Sequence, residues 1–533
     1  MLHLDRLCGL SVADALALRA AEGPGRPFLI AAERRLSYAE VESEAAALAA
    51  GLAELGIEAG DRIALNLPNW TEFVVTMFAA AKLGAVIVPL NPRYTDHELQ
   101  YMLRHSEAAV VVSAETLDGA ECLPRFESFL SSLPNLQYVV SVGDDDLWYD
   151  DRIYQWDDLV SSGGGREVPR VQVDPSRDLF AILYTSGTMG KPKGVALTHG
   201  NLLRTAAATT QAIGIGDDDV VFGVTMLFNV FGIGPGVLGT LLAGASLVLQ
   251  EGCDAGSALQ TIERERVTVQ HGVPTWFVAE LREGAGSGRD LSSLRTGIIA
   301  GAPVQEELVV RVRRELVPEV HVAYGLTETG PTVAVTRNDD PPGKQRATVG
   351  KPLPDTEVKV RDLDGTELPV ESIGEVAVRG PGVMAGYYRQ PDATAQVMTE
   401  DGFFRTGDLG MVDEEGYLHI IGRRKELIIR AGFNVYPREV EDRLHAHPAV
   451  LDVALVGLPD ELYGEITCAC IVPVEGAIVT GGEIKAFCRE TMAEYKVPDL
   501  VRFLDGFPMT GSGKVRRVEL ARMISAEESS RRI

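Results

Sequence analysis

The 533-residue sequence predicts an α/β protein, with a large N-terminal domain of layered sheets and helices followed by a small α+β domain at the C-terminus. Three observations carry this prediction. The first 120 residues alternate capped helical segments with short apolar runs, the pattern of a parallel sheet covered by helices. The chain exceeds what one core accommodates, and about 150 residues per unit gives roughly three or four subdomains. Near residue 422 a dense basic run opens a segment of different character, which divides the chain into 1–422 and 423–533.

The elements follow in order. Ser37-Tyr-Ala-Glu40 is a capping box that opens a helix to about Leu55, DRIALNL (61–67) is a strand, and a second helix spans Trp70 to Lys82 before Gly84. AVIVPL is the next strand, Thr95-Asp-His-Glu98 opens a helix, and AVVVSA is again a strand. SSGGGR (161–166) is the clearest linker, and DLFAILY beyond it is an apolar strand. In the C-terminal segment Pro437 marks a helix start, two strands follow, and Thr480-Gly-Gly-Glu483 caps a later helix.

Composition narrows the function. Lys+Arg 50 against Asp+Glu 76 gives a net charge of -26, which opposes nonspecific binding to nucleic acid or anionic lipid. Anionic ligands must then find local positive patches. Six dispersed cysteines indicate a reduced, cytoplasmic chain. Cys468 and Cys470 share one strand face and suit core packing rather than a metal site, and His445 and His447, read as two residues apart on a helix, point apart. Asp5 and Arg6 interrupt what a signal peptide needs apolar. The uncharged stretch Val220–Gln250 is long enough to span a bilayer, but Asn229, Pro235 and repeated glycines read as turns between a buried helix and strand.

YTSGTMGKPKG (184–194) concentrates phosphate-binding chemistry: glycines that let backbone approach a ligand, hydroxyls that donate, and two lysines. The nucleotide loop G-x-x-x-x-G-K-[ST] does not fit, because Pro192 follows Gly190-Lys191 and Thr185 stands where the first glycine belongs. Pro192 also excludes a helix interior, so this loop would grip phosphate without a helix N-terminus. A plain surface turn explains the glycines but not the gathering of Thr185, Ser186, Thr188 and the lysines.

Four further stretches stand in fixed order after that loop: YGLTETG (324–330), RTGDLG (405–410), GRRKELIIRAGFNVYP (422–437) and PMTGSGKVRR (508–517). Together the five resemble the adenylate-forming superfamily of acyl-CoA synthetases, luciferases and peptide-synthetase adenylation domains, over essentially the whole chain. The resemblance implies an AMP-forming acyl-CoA synthetase that joins a carboxylic acid to ATP, releases pyrophosphate, and transfers the acyl group to a thiol. It implies ATP, Mg2+ and coenzyme A as ligands, and a C-terminal domain that rotates about a hinge near Lys425. Lys514 resembles the catalytic lysine that bridges the acid and the α-phosphate. Glu328 and Thr185 are identified as magnesium ligands with catalytic roles. Ser186, Gly187, Thr188, Gly190 and Lys193 would hold phosphate, while Gly301, Ala302, Pro303, Tyr324, Gly325 and Thr327 would flank the nucleotide. Asp408 and Arg423 would hold the ribose, and Gly432 would line the thiol tunnel.

The resemblance puts Asn229, Phe231, Ala300 and Thr332 in the acyl pocket. Many CoA ligases carry histidine where Asn229 stands, and amino-acid adenylating domains use a nearby aspartate that asparagine cannot replace as an ion-pair partner. Phe231, Ile233, Trp276 and Phe277 suggest an apolar lining, with Gly232, Gly234 and Gly301 giving it depth. A fatty or related hydrophobic acid is therefore expected. Aryl acids, a carrier-protein thiol and a luciferase-like oxidoreductase remain alternatives, and the assembly is left open between monomer and homodimer.

Overall fold

Local sequence signals become elements where packing supports them. The computed structural model describes residues 7–32, 34–143, 151–185, 192–223, 225–252, 254–284, 288–362, 364–430, 433–460, 462–509 and 515–531. Ser37 and Thr95 make reciprocal capping boxes with Glu40 and Glu98, fixing the helices Tyr38–Glu54 and Asp96–Ser106. The helix Thr71–Leu83 ends on Gly84 in the left-handed conformation (φ 66°), and nearly all of it is buried. The strands Arg62–Asn66, Val86–Pro89 and Val110–Ala114 pair in parallel, as their spacing predicts.

The chain forms two compact units, Met1–Val358 with Val378–Phe404, and Lys359–Ala377 with Arg405–Ile533. The first contains a nine-stranded and an eight-stranded sheet, and one apolar cluster collects residues from both sheets and from the helices Tyr38–Glu54, Thr71–Leu83 and His199–Ala212. The second contains the basic run and a sheet in which Val450–Asp460 and Gly464–Pro473 form a long antiparallel pair. Pro437 opens the helix Pro437–His445, and Thr480 caps Gly481–Arg489 in a capping box. Cys468, Cys470 and Cys488 are fully buried among apolar side chains.

Three expectations are corrected. SSGGGR is not a free linker: the helix Trp156–Gly163 runs into it, and a methyl group on Gly163 would come within 2.0 Å of the Ala47 carbonyl oxygen. That glycine serves a close helix crossing. His447 lies beyond the helix, which stops at His445. Gly232 and Gly234 do not deepen a pocket either, because their Cβ directions are filled by the Met226 carbonyl oxygen (2.4 Å) and Pro331 (2.5 Å). The stretch after Val220 resolves into the strand Val220–Gly223, a helix whose segment Gly232–Leu238 is wound as a π-helix around Pro235, and the strand Ser246–Leu249. Among the described residues, no helix is long and apolar enough to cross a membrane.

Candidate active site

The glycine- and lysine-rich motif is carried by an antiparallel hairpin. Leu179–Thr185 pairs with Lys193–Thr198, and Thr185 stands opposite Lys193 in register. Ser186, Gly187, Thr188 and Gly190 lie outside the described residues. The helix Asp96–Ser106 grips both sides of the gap: Tyr101 Oη donates to the Pro192 carbonyl and Tyr184 Oη to the Met102 carbonyl, each at 3.1 Å. With its proton engaged there, the Tyr184 oxygen accepts from His105 Nδ1 at 2.8 Å. That assigns the ring proton to Nδ1 and leaves Nε2 to accept from Gln390 Nε2 at 3.2 Å. Burial, and then the Arg389 charge, push the His105 pKa down and keep the ring neutral.

The second motif is also a hairpin connection. Glu319–Tyr324 and Ala334–Val335 pair antiparallel, with Tyr324 opposite Ala334. The turn between them is tight: a methyl on Gly325 would meet the Pro331 carbonyl at 2.4 Å, and Gly330 takes φ 69°. Thr327 and Glu328 lie on the 3-10 turn Thr327–Thr329, and the Glu328 carbonyl accepts from Met384 N–H at 2.9 Å. Thr332 follows, buried.

Tyr387 joins the two motifs. Its ring lies 4.6 Å from Lys193 Nζ, and its hydroxyl donates to Glu328 Oε1 at 3.0 Å. The residue is held by the short strand Gly386–Tyr387 against Val195 and Ala196. Burial, followed by the charge of Glu328 and the hydrogen bond to it, raises the phenol pKa, so Tyr387 stays a donor. Neither Tyr387 nor the Tyr101–His105–Tyr184 series is evident from the motifs. The one available signal is an aromatic flanked by glycine and proline in AGYYRQP.

Elsewhere in the first unit, Ala300 is buried, Gly301 turns at φ 84° and is exposed, Ala302 is half-buried, and Pro303 is exposed. Asn229 is exposed at the start of the π-wound helix, with its carbonyl accepting from Gly232 and Ile233 N–H, both at 3.1 Å. Phe231 is half-buried, its ring centroid 6.1 Å from that of His271.

In the second unit, Asp408 and Arg423 face one another across the strands Phe404–Val412 and Leu418–Arg423, and Arg423 Nε binds Asp408 Oδ1 at 2.9 Å. Asp408 is thus a buried, paired carboxylate rather than a turn residue. Glu375 draws in Arg405 (2.6 Å) and Arg424 (3.0 Å) nearby. Lys425 is exposed on the 3-10 turn Arg424–Glu426. Gly432 and Lys514 lie outside the described residues. Glu328 offers a half-buried carboxylate joined through Tyr387 to Lys193, and among the described residues no cluster of three or more metal-ligating side chains is present. Such a site fits magnesium, which takes one or two carboxylates together with phosphate oxygens and water.

Comparison with known proteins identifies the family. The AMP-binding enzyme family matches residues 16–388, and the AMP-binding enzyme C-terminal domain matches 439–514. The putative acyl-CoA synthetase YngI of Bacillus subtilis (strain 168) is 37% identical over 519 residues, covering 93% of this chain and 94% of that protein. The mitochondrial medium-chain acyl-CoA ligase ACSF2 of Mus musculus is 32% identical over 547 residues, covering 97% and 88%. Among solved structures, the anthranilate CoA ligase AuaEII in complex with anthranoyl-AMP superposes with a TM-score of 0.88 at 27% identity, covering 98% of both chains. The chain belongs to the AMP-binding enzyme family and is an AMP-forming acid–CoA ligase.

Proposed function

We propose that this ligase activates a hydrophobic carboxylic acid, with fatty acids the first class to test, as an acyl-adenylate and passes the acyl group to coenzyme A. The observation that carries the reading is the convergence of Lys193, Tyr387 and Glu328 at the end of the phosphate-loop hairpin. The acid's carboxylate oxygen attacks the α-phosphorus and pyrophosphate leaves; the thiolate sulfur of CoA then attacks the acyl carbon and AMP leaves. Bringing two anions together makes charge neutralisation the main task. Lys193 supplies positive charge on the phosphate side, oriented by the Tyr387 ring, and Lys514 is assigned to the carboxylate and α-phosphate. Glu328 and Thr185 would hold magnesium, which supplies neutralising charge to the phosphates. Tyr387 fixes one Glu328 oxygen, and the other would be the one available to hold magnesium. Asp408 would accept from the ribose hydroxyls, oriented by Arg423. The domain from residue 423 onward is proposed to rotate about Lys425 between the two half-reactions, with Gly432 beside the thiol path.

An aryl acid is the second reading, favoured by the similarity to an anthranilate CoA ligase. The deciding experiment incubates the chain with ATP, magnesium and a panel of alkyl and aryl acids, with and without CoA, scoring pyrophosphate, AMP and thioester mass. Pyrophosphate and thioester with hydrophobic acids are expected. Release driven by amino acids alone would refute the acid assignment, and no release with any acid would refute the activity.

A further inference from the structure

Two buried histidines stand behind the acyl pocket with no role in the chemistry above. The parallel strands Val269–Gly272, Thr296–Ile299 and Glu319–Tyr324 place His271, Ile298 and His321 in one row, register partners across the sheet. Side chains two residues apart share a strand face, so Ala300 and Ala323 continue that face at the strand ends, and both pack in the same cluster as Ile298. The imidazole row therefore lies about 7 Å deeper than Ala300 along one wall, at roughly 3.3 Å per residue. Phe231, assigned to the acyl lining, has its ring 6.1 Å from the His271 ring.

Both histidines are fully buried, and none of their ring nitrogens has a hydrogen-bond partner among the described residues. His321 lies beside the Thr336 backbone without hydrogen-bond geometry. A neutral imidazole carries one donor and one acceptor, and leaving either unmet in a dry site costs about 1–3 kcal/mol. Leucine or methionine would suit an alkyl chain better. Burial lowers both pKa values to about 4, and His321 adds to the shift on His271, so the pair stays neutral. Charged groups are disfavoured in the same surroundings.

We propose that His271 and His321 form the far end of the acyl pocket and select acids that carry a neutral hydrogen-bonding group, a hydroxyl or keto oxygen, remote from the carboxyl. The inference rests on the ligase reading and the pocket assignment above. A hydroxyl can donate to one ring and accept from the other, whereas a methyl terminus leaves both unmet.

The test uses acid pairs that differ only in a distal hydroxyl or keto group: 4-hydroxycinnamate with cinnamate, and ω-hydroxy or ω-keto alkanoates with their parents. Pyrophosphate release gives kcat/KM for each. In at least one pair the oxygenated acid should be favoured about tenfold or more, as sites built to bind a hydroxyl reject analogues without it. His271→Leu should bring that ratio to within about twofold, with the KM for ATP unchanged and Tm raised, because an unmet polar group is removed. His271→Asn should restore part of the preference, and His321→Leu gives the same readout should His271→Leu fail to fold. Ratios near one for every pair in the wild-type chain, or a preference that survives both leucine variants, would overturn this proposal while leaving the ligase reading intact. Absence of pyrophosphate with every acid would overturn both.

Discussion

Tyr387 ties the phosphate-loop lysine to the acidic motif, and its hydroxyl is separable from its ring. Tyr387→Phe keeps the ring under Lys193 Nζ but removes the donor to Glu328. Hydrogen bonds to charged groups are worth about 1.5–3 kcal/mol, so ATP–pyrophosphate exchange should lose about 10- to 100-fold in kcat/KM for ATP with little change in Tm. An unchanged rate would take Tyr387 out of the site. The motifs named Lys193 and Glu328 without naming what joins them, because Tyr387 lies far along the chain in a short edge strand that has no periodicity to read. Asp408 and Arg423 were both named from their motifs, but the ion pair between them was not legible: a Thr-Gly-Asp turn and a buried ion pair look alike until the antiparallel register is known.

The helix Asp96–Ser106 holds Tyr184 and the Pro192 carbonyl, on either side of the glycine-rich motif, and the effect of that grip can be tested. Tyr184→Phe breaks the series from Gln390 through His105 to the Met102 carbonyl. The KM for ATP should rise about five- to hundredfold while the KM for the acid holds, since the hydroxyl makes two neutral hydrogen bonds and each contributes about 0.5–1.5 kcal/mol. Equal rises in both would indicate general loosening instead. At the crossing of Tyr38–Glu54 with Trp156–Gly163, Gly163→Ala would push a methyl to within 2.0 Å of the Ala47 oxygen. A loss of about 1–3 kcal/mol is expected, read from the denaturant midpoint. Capped helices and apolar parallel strands were legible because their signals are local. The glycines of 161–166 and 232–236 misled because a turn and a close backbone approach use the same residue, and only the neighbouring element tells them apart.

Across the molecule, buried titratable groups set a pH profile. His199, His271 and His321 have pKa values lowered by burial from 6.5 to about 4, whereas burial raises Glu280 from 4.5 to about 8. The unfolded chain takes up protons on the histidines below about pH 6.5, so their contribution to stability is complete above that value and is lost as pH falls toward 4. Glu280 has the opposite sign: its contribution is complete below about pH 4.5 and is lost as pH rises to 8. Three groups outweigh one on the acid side, and Glu280 alone acts from pH 6.5 to 8. Tm from these groups should peak near pH 6.5, and Glu280→Gln should flatten the alkaline limb; a wild-type Tm still climbing from pH 6.5 to 8 would contradict the assignment. The two half-reactions offer a second whole-chain test. Lys514→Ala should cut adenylation by about a thousandfold, since one cation about 4 Å away contributes roughly 4 kcal/mol at an effective dielectric of 20. Thioester formation from supplied acyl-adenylate should survive, and equal losses would argue against separate roles for the two states. The family and its two-part organisation were legible because five motifs keep their order; the acid was not, because its selectivity lies in side chains that only the sheet register assembles. The buried thiols carry a final consequence. Cys468, Cys470 and Cys488 are fully buried and Cys122 nearly so, which keeps reagents from their sulfurs, and burial also raises the pKa of Cys122 and takes that of Cys488 to about 11, so these last two hold almost no reactive thiolate at neutral pH. An enzyme handling a free thiol substrate thereby avoids mixed disulfides at these positions, and oxidised CoA or iodoacetamide should label them only on unfolding.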